Sequence, residues 1–567
     1  MNFLRQRVPL LDVLRREFAG YNRTALRVDV LAGITVAAVA LPLALAFGVA
    51  SGASAAAGMV TAILAGIVIG GLSGLGIQVS GPTGAMAAVL IVLASRYGLE
   101  GMWVAGLLAG IMIFLLGVFD LGQIVNFIPI AVIAGFTSGI ACIIFIGQID
   151  NLLGVKTEAA ESSLVKFIHY FRFDYAPNLA AVGLALVVIL IMLFWSSRWN
   201  LRFPGSLLGL IVATLAASML NLNVTTIGSI PQTILLDQRL TLGSIPWEHM
   251  SDLIAPALSI AALGAIESLL CGTVAGKMTG QKMASNQELM AQGLGNIIIP
   301  FFGGVPATAA IARTSVAIKS GGRTRVVSIV HSLVLLLTAL VLAPILGRVP
   351  LAALGGVLAV TAYRMNDWGE IHQLFSRRFK SAMFAFVSTL IATVALDLTQ
   401  AIIIGVGLSA LIFVYQISRT RVSVTPVSAE KMRAQGYEMQ YDGDRIAVVY
   451  VLGPLFFGTS NTFNSAVENL NGAQDVILSL RAVPLLDTTG ISVIEEFIER
   501  VETNGGQIYL CALNDPVRSY LTRAGVIKHV GEDHIFWSAD QAIIALDRYR
   551  AAHVPAGDQE TIQPAPV

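Results

Sequence analysis

From Val28 to Tyr415 the chain repeats one pattern: a run of apolar residues, a short polar or Gly/Pro-containing break, and another apolar run. Such runs predict membrane helices, because a helix crossing a hydrocarbon core needs about 20 mostly apolar residues. In the first half they fall near 28–50, 55–73, 82–95, 101–119, 126–149, 177–195 and 204–220. In the second half they fall near 253–275, 288–302, 310–319, 326–346, 349–363, 380–396 and 398–416. Segments three and ten are too short to cross and predict half-helices.

Beyond Arg421 the pattern changes. RIAVVYVLG (445–453), DVILSLRAV (475–483) and QIYLCAL (507–513) have strand length, with NTFNSAVENL, GISVIEEFIERVETNGG and DPVRSYLTRAG as helices between and after them. Alternating strand and helix predicts a small cytosolic α/β domain at 441–550, joined by a linker at 418–440 and followed by a flexible, Pro-containing tail at 551–567.

Composition and charge agree with a polytopic membrane protein. Hydrophobic residues make up 55% of the 567 and charged residues 13%, with mean hydropathy +0.76. The balance lies outside the globular range. Net charge +1 gives no sign of a nucleic-acid partner, and Cys142, Cys271 and Cys511 have neither metal nor disulfide spacing. The first apolar run is long enough to span and has no cleavage-site pattern, so it is expected to be retained.

Lys and Arg concentrate in alternate loops, as cytoplasmic loops do. With the N-terminal segment 1–27 inside, the inner flanks hold Arg15, Arg16, Arg23, Arg27, Arg198, Arg202, Lys277, Lys282, Lys319, Arg323, Arg325, Arg377, Arg378, Lys380, Arg419 and Arg421. The asymmetry predicts an even count, fourteen segments, with both termini cytoplasmic and the protein in the cell inner (plasma) membrane.

An internal repeat supports that count. IPIAVIAGFTSGIA (128–141) matches VPLAALGGVLAVTA (349–362), with Pro129 over Pro350 at an offset of 221; the breakers around Pro82 and Pro306 differ by 224. Repeats of seven spans must insert in opposite orientations. The predicted fold is therefore two inverted repeats of seven.

The two breakers predict a site. Each half-helix begins with amides that have no intrahelical acceptor and with the positive end of the helix dipole, so two such ends aimed together would hold an anion. Gly81 and Gly84 permit close backbone approach, Thr83 offers a hydroxyl, Ala310, Ile311 and Ala312 would supply amides, and Arg313 the compensating charge. Glu267, more than three helical turns into the eighth segment, is the other intramembrane ionisable residue this reading identifies, a candidate proton carrier. Ser268 and Thr273 would instead help hold Na⁺, and the Phe47 ring would form a pocket wall. The plainer readings are a snorkelling cation for Arg313, a tight turn for SGPTGA, an acid satisfied without cycling for Glu267 and a core aromatic for Phe47.

LPLALAFGVASG, VSGPTGA, LGAIESLLCGTVAGKMTG, NQELMAQGLGNIIIPFFGG and PATAAIARTS, with LLDTTG in the C-terminal domain, closely resemble the SulP anion transporters, related to the mammalian solute-carrier 26 proteins. The resemblance implies a transport domain at 28–417, with core spans at about 28–119 and 253–346, gate spans at about 126–220 and 349–416, and an elevator motion of core against gate. It further implies a homodimer and a STAS domain at 441–550. Carried over residue by residue, it puts Phe47, Thr83, Gly84, Ala312 and Arg313 at the anion pocket and Glu267 at the coupling position. Ala312 stands where animal members often have serine, which leaves a backbone amide only. Thr489 of Asp487-Thr488-Thr489-Gly490 stands where STAS antagonists carry a phosphorylatable serine; it is a candidate phosphosite, with a helix cap as the plainer reading.

The expected activity is secondary active transport of a small inorganic or organic anion (sulfate, bicarbonate or a C4-dicarboxylate), with H⁺ rather than Na⁺ as coupling ion and no cofactor. The segments around LGAIESLLC and ATAAIAR are similar to bacterial members that move C4-dicarboxylates with protons. Alternatives are an uncoupled channel, exchanger or voltage-responsive motor, a Na⁺ symporter, and a nucleobase permease. An enzyme is not expected, because no His, Cys, Asp or Glu cluster has catalytic spacing. The STAS-like domain is expected either to bind a cytosolic protein or to act as a dimer spacer.

Overall fold

The computed structural model describes residues 10–553 except 124–128, 158–162, 173–175, 197–202, 242, 244–249, 397, 442, 469 and 471. The start of the predicted fifth segment, Arg198, Arg202 and most of the predicted tail lie outside the described residues. Two compact units divide between Ser409 and Ala410.

In the first unit a short amphipathic helix, α1 (Leu10–Glu17), precedes α2 (Arg23–Ala50), which Asn22 caps through its side chain. Helix α3 (Ala55–Leu64) runs through a π-turn, Ala65–Ile69, to Leu72. Then come β1 (Ser80–Gly81), α4 (Gly84–Val118), α5 (Ile130–Leu153), α6 (Ser163–Arg172), α7 (Leu179–Phe194) and α8 (Gly205–Met219). The second half holds α9 (Met250–Thr279), α10 (Ser285–Ile298), β2 (Thr308–Ala309), α11 (Ile311–Lys319), α12 (Val326–Leu346), α13 (Leu351–Met365), α14 (Trp368–Ser376), α15 (Lys380–Ala395) and α16 (Leu398–Ile417). Among the described residues, six helices are long and apolar enough to cross a membrane, and shorter apolar helices accompany them.

The predicted third and fourth segments are one element, α4, interrupted at Gly98, where φ 70 and ψ −175 break the helical path without a loop. A side chain at that φ would be strained, and glycine removes the strain. The repeat noticed in sequence has a structural counterpart: Pro129 and Pro350 are the N-caps of α5 and α13, with φ/ψ of −64/144 and −68/137.

Packing sorts these helices into two groups. Helix α4 lies chiefly on α10 and α9, α12 on α2, and α2 on α3; α5 lies on α13 and α15, and α7 on α13 and α8. Small residues permit the closest approaches: Gly135 of α5 packs directly on the Phe386 backbone of α15, and Gly110 of α4 on Gly293 and Asn296 of α10. Without water to drive helices together, such close packing is a main source of association in lipid.

The second unit carries a five-stranded sheet ordered β3 (Arg421–Pro426), β4 (Ile446–Leu452), β5 (Asp475–Ala482), β6 (Ile508–Cys511) and β7 (Ile535–Phe536), with β3 antiparallel and the rest parallel. Strand β3 lies inside the stretch expected to be linker. Its alternating, half-exposed residues and terminal Pro426 mark an edge strand, which has no apolar run to reveal it. Helices α17 (Ala429–Ala434), α18 (Ser460–Val467), α19 (Thr488–Thr503), α20 (Asp515–Ala524), α21 (Val526–Val530) and α22 (Ala539–His553) complete this unit. Asp487, not Thr489, caps α19, accepting from the Gly490 amide at 2.7 Å. Thr489 lies in the first turn.

Candidate anion site and family membership

The site is built from two interruptions that meet. Strands β1 and β2 form an antiparallel pair, Ser80 opposite Ala309 and Gly81 opposite Thr308. Antiparallel pairing of equivalent breakers is the relation that an inverted repeat requires. Flanking bonds extend it: Ala310 N–H donates to the Val79 carbonyl at 2.9 Å, Val79 N–H to Thr314 Oγ1 at 3.0 Å, and Ala309 N–H to Ser268 Oγ at 3.3 Å. The extended arms are thus satisfied internally, the condition for irregular backbone at membrane depth.

Helices α4 and α11 start immediately after these arms. Thr83 caps α4, accepting from Met86 N–H at 3.4 Å, whereas Ala310 begins α11 with no side-chain cap. The first-turn amides of Ile311 and Ala312 have no intrahelical acceptor, and both residues are exposed, Ile311 at 37%. The expected Ala310 amide is corrected: pairing with Val79 consumes it, because the register of β1 on β2 continues one residue further.

Arg313 is 1% exposed. That overturns the snorkelling reading, which would place the guanidinium in water. Its Nη2 donates to the Pro82 carbonyl at 2.7 Å, while Nε and Nη1 have no hydrogen-bond partner. Gly81 is what lets the side chain lie there, since a Cβ at that position would fall 2.2 Å from Arg313 Nη1. Phe47 is buried, and its ring stands 3.1 Å from where a Cβ on Gly84 would be, with Ile144 and Met365 closing the same corner.

Glu267 lies beside this group. Its Oε2 accepts from Thr83 Oγ1 at 3.0 Å and from Thr308 Oγ1 at 2.7 Å, and the two hydroxyls are 3.0 Å apart. Thr83 was expected to offer its hydroxyl to the anion; the structure commits it to the cap and to Glu267. Thr273, one of the two residues considered for Na⁺, turns its hydroxyl back to the Leu269 carbonyl of its own helix at 2.8 Å. Ser268 accepts from β2.

The structure therefore brings together Phe47, Thr83, Gly84, Glu267, Ala310, Ile311, Ala312 and Arg313. Sequence reading missed Thr308, which faces Glu267, and Glu288, Gln292 and Asn296, polar residues of α10 that are all 0% exposed. Their four-residue spacing was the available signal.

A model of the sulfate permease family matches residues 26–389. The chain belongs to the sulfate permease family. A STAS domain model matches residues 440–542 of this permease. The putative sulfate transporter YvdB of Bacillus subtilis is 34% identical over 540 residues, covering 92% of this chain and 98% of the relative. The bicarbonate transporter BicA of Picosynechococcus is 27% identical over 538 residues, covering 91% and 94%. Among solved structures, the transmembrane domain of a cyanobacterial BicA superposes with TM-score 0.62 at 29% identity, covering 67% of this permease and 98% of that chain. Murine solute carrier 26 family member A9 superposes with TM-score 0.83 at 20% identity over 96% and 95%, a likeness of fold. These relatives are named as transporters, as the sequence motifs implied.

Proposed function

We infer that the permease is a secondary active carrier of a small anion, held between the N-termini of α4 and α11 and compensated by Arg313. One observation carries the reading: the antiparallel meeting of β1 and β2 directs two helix starts to one place beside a buried guanidinium with two unpartnered nitrogens. Fixed amides and a fork of N–H donors suit an oxyanion, which accepts hydrogen bonds through several oxygens.

The names of the relatives favour sulfate or bicarbonate, and the motif resemblance adds C4-dicarboxylates. Glu267 is the coupling group. A carboxyl that gains and loses a proton beside the anion links the two movements, and Thr83 and Thr308 are its local partners. Alternating access comes from one helical group moving against the other. The carrier is a homodimer in the plasma membrane with cytoplasmic termini, and its STAS domain receives a cytosolic protein.

The test is a competition panel of sulfate, bicarbonate, fumarate, succinate and aspartate in proteoliposomes at two pH values, with and without Na⁺. Saturable uptake of one anion, driven uphill by an inward proton gradient and indifferent to Na⁺, is the expected result. Ohmic current without saturation would overturn the carrier reading in favour of a channel.

A further inference from the structure

Helix α10 presents Glu288, Gln292 and Asn296 on one face, each side chain reaching a different stretch of the interrupted backbone. Asn296 clasps Ala307, on the approach to β2: its Nδ2 donates to the carbonyl at 3.0 Å and its Oδ1 accepts from the amide at 2.7 Å. One turn earlier, Gln292 Nε2 donates to Ser80 Oγ in β1 at 2.9 Å and to Glu288 Oε1 at 3.0 Å. One turn earlier again, Glu288 Oε2 accepts from the Ser73 hydroxyl and from Gly74 N–H at 3.0 Å, just ahead of the first interruption.

The chemistry of these contacts is specific. Glu288 is met by Gly74 N–H, by Gln292 Nε2 and by the Ser73 hydroxyl, which also lies 2.9 Å from the Leu75 carbonyl. The Gln292 amide is orientated by two acceptors; turning it over would set its oxygen against the carboxylate. Arg325 is the cation whose charge reaches Glu288, and it is itself held by Glu17 at 2.6 Å. Glu267 accepts from two hydroxyls, is only partly buried and lies at the helix starts, so the two carboxylates have different work.

The geometry points to Glu288, Gln292 and Asn296 as one positioning ridge that sets the register of both interrupted segments and so the placement of the two helix starts that receive the anion. The inference rests on the anion-site reading above. None of the three residues touches the anion; they act through Ser73, Gly74, Ser80 and Ala307. Because the ridge holds both arms, disturbing it alters how tightly the site binds before it alters how fast the carrier turns over.

An exchange of side chains tests this. Gln292→Glu alone sets two carboxylates together, whereas in Glu288→Gln alone the Gln292 amide can turn over, its oxygen accepting from the new amide and from the Ser80 hydroxyl. The double variant, Glu288→Gln with Gln292→Glu, restores every contact: the new amide accepts from Ser73 and Gly74 and donates to the new carboxylate, which also accepts from the Ser80 hydroxyl. The full-length protein is used throughout. Uptake of labelled sulfate, bicarbonate and fumarate is measured in proteoliposomes, and hydrogen exchange is followed over 73–82 and 305–311.

Gln292→Glu alone is expected to raise the KM of the transported anion about tenfold with kcat changed less than about threefold, and the double variant to return KM to within about threefold of the parent. Exchange over 73–82 rises in Gln292→Glu and falls back in the double variant. Asn296→Leu speeds exchange over 305–311. Unchanged KM and exchange in Gln292→Glu, or a double variant worse than it, would overturn the ridge. If Gln292→Glu does not fold, a folded and active double variant supports the ridge just as well, and a double variant that also fails to fold counts against it. If none of the three anions is taken up saturably, the carrier reading fails, while the exchange pattern still decides the ridge.

Discussion

Thr83 and Thr308 come from opposite halves of the chain, 225 residues apart, yet their hydroxyl oxygens lie 3.0 Å from each other and both reach the same oxygen of Glu267. The carboxyl is thus read by both interruptions at once. Glu267→Gln keeps a side chain that accepts from these hydroxyls but cannot carry a proton as an acid does. It is expected to retain anion binding and exchange while losing pH-driven accumulation. Flux measurements with and without an imposed proton gradient check this, and undiminished uphill uptake would remove Glu267 from coupling.

Arg313 supplies the site's buried positive charge. Arg313→Ala is expected to weaken equilibrium binding of the transported anion about a hundredfold with the protein still folded. Arg313→Lys keeps the charge as a point and loses the fork that grips Pro82 while offering two further nitrogens, so a loss of about tenfold is expected. Binding unaltered in both variants would show the guanidinium to be a packing element.

Gly81 has no room for a side chain on its guanidinium side. Gly81→Ala sets a methyl 2.2 Å from Arg313 Nη1, and the guanidinium has to leave its place on Pro82. Anion affinity is expected to fall about tenfold while the β1–β2 hydrogen bonds, which are backbone bonds, persist. Titration calorimetry reads the first effect and hydrogen exchange the second.

In the STAS unit, Asp475 is 0% exposed and accepts from Arg550 Nε at 2.9 Å and from Gln507 N–H at 2.8 Å. Arg550→Met leaves a buried carboxylate without its cation, a loss of about 3–5 kcal/mol. Amides of β5 and β6 are expected to exchange about a hundredfold faster in the full-length protein. Arg550→Lys should recover part of that protection.

Tyr509 gives a pH signature of the same unit. Burial pushes its phenol up to about 12 from the ordinary 10. The folded state favours the neutral phenol, so this contribution to stability is complete below pH 10 and is lost as pH rises toward 12. Tyrosinate absorbance is expected to show a tyrosine ionising near pH 12 that Tyr509→Phe removes.

Much of this architecture was legible because lipid allows few solutions. The predicted tenth segment at 310–319 is α11 at Ile311–Lys319, and the eleventh at 326–346 coincides with α12. Arg313, Glu267 and the glycines of the first break stood out as polar or small residues in apolar surroundings. Thr308 did not, because a threonine between alanines has no local oddity and its meaning comes from a partner in the other half. Ala310 was misassigned for a related reason: whether its amide is free depends on a strand register set across the molecule. The polar face of α10 was overlooked because its charged and amide residues lower local hydropathy, which placed the segment's start late, at Glu288 rather than Ser285. Strands β3 and β7 are an edge and a two-residue pair, and neither makes a run long enough to read.

The pairing of β1 with β2 also has a consequence for biogenesis. Ser80 and Gly81 leave the ribosome more than two hundred residues before Thr308 and Ala309, a wait on the order of tens of seconds at ordinary elongation rates. Through that interval the nascent chain holds an unmatched peptide edge that bilayer hydrocarbon cannot solvate. Insertion of the first half therefore calls for a temporary hydrophilic shelter, whether the translocon vestibule or a companion insertase, until the second half arrives to take its place.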